Sequence, residues 1–167
     1  MSTRVLVLGL CAACAAAGPD RGPRYDPVAS PEAQSPCAPQ WQAAKDAREA
    51  LVGQIQAATA RGAAAAAVFA QAECERGHFD EQRIASPSYD GLLEAVKPVR
   101  ARYLNALNLY WEAADYRVTR FSVGGFARAG ELHAAFAGKL RTTAPPSQMR
   151  APAERADFLG EMDEAAE

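Results

Sequence analysis

Alanine is the feature that most constrains this chain. It supplies 39 of the 167 residues, whereas Leu, Ile, Val and Phe together supply only 29. That second group is about 17% of the chain, below the usual ~20% for a well-filled globular core. A large Leu/Ile core is therefore excluded. The chain is not thereby consigned to disorder, because its net charge is only -2 and alanine is the best helix former. The composition predicts helices that pack closely through small side chains. Strand signals are nearly absent, so the fold class is all-α. The near-neutral charge balance offers no basic stripe for nucleic acid.

The N-terminus reads as an export signal. Met1 to Arg4 carries one positive charge, and Val5 to Leu10 is apolar and short. Small residues then run to Ala17. The apolar stretch falls far below the ~20 residues that span a bilayer. Leu10-Cys11-Ala12-Ala13-Cys14 resembles the lipobox of bacterial lipoproteins, in which small residues precede a cysteine that becomes the acylated N-terminus. The resemblance implies a signal peptide over 1–13, lipidation at Cys14, and an anchor in the bacterial envelope, at the outer membrane facing the periplasm. The alternative is ordinary cleavage after Ala17 and a soluble periplasmic or secreted protein. Residues 14–38 then read as a tether. Six of the eleven prolines, from Pro19 to Pro39, crowd the segment from Ala15 onward, and proline at that density keeps a chain extended.

From Gln40 the period becomes helical. Steps of three and four from Trp41 visit Ala44, Arg48, Leu51, Ile55, Ala58, Gly62, Ala65, Phe69 and Ala72, a seam in which only Arg48 is out of character. The spacing predicts one helix from about Pro39 to Arg76, with Gly77 as its C-cap and Gly53 and Gly62 as local weak points. Ser86-Pro87 signals the start of a second helix to about Val123, with a kink from Pro98 near Glu94. Gly124-Gly125 separates it from a shorter third helix through Phe126, Leu132 and Leu140. Residues 39–144 thus form a helical domain, a long antiparallel hairpin with a third helix beside it. Residues 145–167 are a tail, disordered or weakly helical around Phe158.

Phe121, Gly124, Glu131, Leu132 and Ala134 have a spacing similar to that of the helical hairpins of TolC-like outer-membrane efflux proteins. Over about a fifth of the chain, that resemblance implies hairpin geometry alone.

Chemistry has few places to sit, and no catalytic residue is assigned. Cys74 and His78 are four apart and share a helix face only if the helix survives Gly77, so the expectation is no metal and no cofactor. Cys37 and Cys74 are an even pair once Cys11 and Cys14 are set aside. An unbroken helix between them would hold them roughly 50 Å apart, whereas a disulfide tolerates about 7 Å between Cα atoms. The expectation is free thiols or bonds to another chain. A reversal near Gly53 would instead bring the two together and replace the hairpin with a compact bundle of shorter helices.

The wide aromatic face of the second helix, with Tyr103, Tyr110 and Trp111, exceeds what one alanine seam covers and reads as partner-binding. The functional expectation is a lipid-anchored, non-enzymatic envelope scaffold or adaptor for another envelope protein. A periplasmic module that binds a small ligand or metal is the alternative.

Overall fold

A computed structural model describes residues 36–54 and 57–166. The expected signal sequence, the lipidation candidate Cys14 and nearly all of the expected tether lie outside them. Within them the chain is all-helical: α1 Ala38–Leu51, α2 Ala58–Glu81, α3 Tyr89–Asp115, α4 Thr119–Arg141 and α5 Pro152–Glu164.

The single helix expected from Pro39 to Arg76 is two. The chain leaves α1 at Val52, turns through Gly53 at φ +80°, and resumes at Ala58. That left-handed angle costs a residue with a Cβ about 1–2 kcal/mol, which is why glycine occupies it. Gly53 is thus a turn rather than a weak point within a helix. The reversal lays α1 antiparallel to α2, so that Cys37 at the start of α1 meets Cys74 near the end of α2. Their Cα atoms are 5.9 Å apart and their sulfurs form a disulfide. The long hairpin with free or interchain thiols gives way to a bundle of shorter helices.

The next boundaries also move. Gly77 does not cap α2, which continues to Glu81. Ser88, rather than Ser86, caps α3 by accepting a hydrogen bond from the Gly91 amide at 3.1 Å. Helix α3 runs continuously through Pro98 and ends at Asp115, short of Val123. The α3–α4 turn passes through Arg117 at φ 55°. Gly124 and Gly125 lie inside α4 instead of breaking it. Their use is in packing: a Cβ on Gly125 would meet the Tyr110 carbonyl oxygen at 2.6 Å. Only glycine lets the α4 backbone approach α3 that closely.

Helix α3 packs antiparallel to both α2 and α4, and the three together build the core. Cross-helix pairs fix the directions, since Phe69 and Glu73 meet Tyr110 while Phe79 meets Tyr103. Two aromatic clusters fill what alanine leaves open. In one, the Phe69 ring lies 5.5 Å from that of Tyr110 and 5.7 Å from that of Phe121. In the other, Tyr103 stacks on Phe136 at 4.6 Å, with Phe79 beside both. Val68, Ala72, Val99, Ala106, Ala113 and Leu132 complete the interior. Alanine therefore sets the helix spacing, and the few large residues are concentrated where the three helices meet.

Helix α1 buries only Ala44 and Leu51. Arg48, out of character in the sequence seam, forks onto Glu112 of α3 with bonds of 2.6 and 2.8 Å. Helix α5 starts at Pro152 and packs on the bundle through Phe158, which is buried, while Arg141 of α4 reaches Asp163 at 2.9 Å.

Candidate functional site

Three potential ligating side chains converge where α1 begins and α2 ends. Cys37 precedes Ala38 and Pro39, the first residues of α1; it is buried, and its carbonyl accepts the Trp41 amide at 2.9 Å. Because α2 continues through Gly77, Cys74 and His78 are stacked one helical turn apart on a single face. One ligand atom from each of Cys37, Cys74 and His78 falls within 4.8 Å of the others. Two of the three, Cys37 and Cys74, are joined in a disulfide. The His78 ring is partly exposed, and its Nδ1 pairs with the Glu81 carboxylate at 3.2 Å.

The sequence singled out Cys74 and His78. It gave no third member, because the unbroken helix kept Cys37 far away. The signal that could have supplied it is Gly53, the residue on which the reversal depends.

The opposite side of α2 carries polar groups that serve the packing. Tyr110 is fully buried and donates its hydroxyl proton to Glu73 at 2.7 Å. Burial, reinforced by the neighbouring Glu73 carboxylate, pushes the Tyr110 phenol well above its ordinary range. Arg76 and Arg128 both hold Glu131, at 2.7 and 2.8 Å, and their hydrogen bonds keep its carboxyl below the usual range. Glu75 is buried and paired with Arg102 at 2.6 Å, as a buried carboxylate must be.

The three aromatic residues expected at a partner surface have different surroundings. Tyr110 is in the core. Tyr103 is half-buried between Phe79 and Phe136, with its hydroxyl 2.6 Å from His133 Nδ1. Trp111 is 39% exposed. The largest exposed apolar side chains in α4 are Val123 and Phe126, at 66% and 64%, one helical turn apart. The sequence reading placed Phe126 in the third helix and did not single out either as a surface group.

No protein-family model, curated protein or solved structure matches this chain. Among the described residues, no helix is long and apolar enough to cross a membrane.

Proposed function

We propose that the protein is a lipid-anchored bacterial envelope protein, held by Cys14 and a Pro-rich tether, whose helical bundle acts as a non-enzymatic scaffold or adaptor for another envelope protein. The observation that carries this reading is the Cys37–Cys74 disulfide. Structural disulfides persist in oxidising compartments and are rare in a reducing cytosol, so the bond agrees with the charged, then apolar, then small-residue order of the first seventeen residues. The exposed Trp111, Val123 and Phe126 supply apolar surface for a protein partner.

Two measurements test it. Metabolic labelling with a fatty acid is expected to mark the native chain and to leave Cys14→Ser unlabelled; no label on either removes the anchor. Photo-crosslinking in cells, from probes at positions 111 and 126, is expected to trap one envelope protein in stoichiometric yield. Crosslinks spread over many abundant proteins remove the adaptor.

A further inference from the structure

We propose that the reduced chain binds one Zn2+ through Cys37, Cys74 and His78, and that the disulfide and the metal are mutually exclusive states of this site. The inference does not rest on the envelope reading.

Geometry carries it first. Ligands held by one Zn2+ at about 2.0–2.3 Å stand about 3.5–3.8 Å from one another in tetrahedral geometry. The three candidate atoms already lie within 4.8 Å of each other. Parting the sulfurs and drawing in the imidazole are changes on the scale of side-chain rotations. The Cα separation of 5.9 Å needs no large backbone movement.

The donor set is also right. Two thiolates and an imidazole suit zinc, and a fourth position remains for water. His78 Nδ1 lies 3.2 Å from the Glu81 carboxylate, and in the tautomer that donates from Nδ1 the lone pair that can take the metal is on Nε2. A carboxylate behind the ligating ring is the usual way that a zinc-bound histidine is oriented and made more basic.

Exclusivity follows from the chemistry of sulfur. A disulfide sulfur carries no negative charge and is a poor zinc ligand, whereas a thiolate is a strong one. A dithiol reductant of the thioredoxin class supplies two electrons and two protons. The Cys37–Cys74 bond breaks, two thiols form, and the reductant's own pair closes to a disulfide. Zn2+ then displaces the two thiol protons into solvent and takes its place between α1 and α2, so that the same two helix ends stay joined by a metal instead of a covalent bond.

The test uses the full chain carrying Cys11→Ser and Cys14→Ser, which leaves two thiols, with Co2+ as a spectroscopic probe. The reduced protein is expected to bind one Co2+ with thiolate-to-cobalt charge-transfer absorption, displaced by one equivalent of Zn2+. The oxidised protein is expected to give no such band. His78→Ala and His78→Gln are expected to weaken binding at least about tenfold, with helix content unchanged by circular dichroism. Absence of the band in the reduced chain overturns the proposal. So does unchanged affinity in both His78 variants, a band in the oxidised chain, or loss of helix on reduction that the metal does not restore.

Discussion

The α1–α2 and α3–α4 pairs are both antiparallel contacts between alanine-rich helices, yet different physics holds them. Helix α4 lies against α3 by close backbone approach at Gly125 and by the stacked rings of Tyr103 and Phe136, while Phe69 of α2 touches both Tyr110 and Phe121. Helix α1 brings two small-to-medium buried residues, Ala44 and Leu51, to its seam. The apolar area those two remove from water stabilises by only a few kcal/mol at about 25 cal/mol per Å², against the entropy of ordering fourteen residues. A helix so thinly buried is held by cross-links: the Cys37–Cys74 bond at its start and the Arg48–Glu112 fork in its last turn. An alanine seam thus positions a helix, and something else must fasten it.

The largest expected effect comes from cutting the covalent fastener. The Cys37–Cys74 bond closes a loop of 37 residues, for which chain entropy gives about 4 kcal/mol. Cys37→Ser with Cys74→Ser is expected to lower unfolding free energy by about that amount in denaturant titration without added metal. Native-state hydrogen exchange sharpens the comparison. Amides of α1 should lose protection to near zero, while those of α2, α3 and α4 keep most of theirs. Uniform loss over all four helices would show that α1 is integral to one cooperative core, and the contrast between the two pairs would fall.

How far the sequence disclosed this arrangement follows from the same contrast. The all-α class was legible because alanine content and a period of three to four survive any tertiary context. The break at Gly53 was legible only as the alternative to one long helix, because the seam from Trp41 to Ala72 continues in register across the turn and its small residues suit a helix on either side. Glycine is ambiguous by nature: Gly53 is a turn, Gly77 is tolerated inside α2, and Gly125 is a packing surface. All three can look alike in sequence, since what separates them is a neighbour or a φ angle. The Cys37, Cys74 and His78 cluster was two-thirds legible, in Cys74 and His78, and its third member waited on that one turn. Tyr110 and Trp111 illustrate the remaining limit. Adjacent on one helix, they sit about 100° apart, and the first enters the core while the second meets solvent.

The second effect probes the other pair. Gly125→Ala places a methyl group against the Tyr110 carbonyl, where the ideal contact would be 2.6 Å. A backbone atom cannot swing aside as a side chain can, so α4 must retreat and loosen the ring packing around Tyr110. A loss of about 1–3 kcal/mol is expected, offset in part by the better helix propensity of alanine. Gly130→Ala is the control, because nothing lies within 4 Å of its added Cβ; it should be neutral or slightly stabilising. Equal responses at the two positions would mean that the close approach of α3 and α4 contributes nothing to stability.

The smallest effect concerns the polar fastener of α1. Glu112 accepts from Arg48 twice and from the Tyr116 hydroxyl at 3.0 Å. The Arg48 and Glu112 side chains are only about one-fifth exposed, so the fork is partly shielded from water, and Glu112→Gln is expected to cost about 1–2 kcal/mol. Tyr116 adds a pH signature. Burial first, and the Glu112 carboxylate beside it second, push its phenol up to about 12, from about 10 in an unfolded chain. Its folded-state pKa is raised, so its contribution is complete below pH 10 and is lost as pH rises toward 12, because the unfolded chain ionises first. Tyr110 is displaced in the same direction and steepens the same loss. Tyr116→Phe should therefore flatten, without abolishing, the fall in stability between pH 10 and 12, and it should do so less in a Glu112→Gln background, where the charge that raises the phenol is gone. If the Phe variant follows the native curve unchanged, the Tyr116 phenol is not raised in the folded chain and its bond to Glu112 adds nothing measurable to the fork.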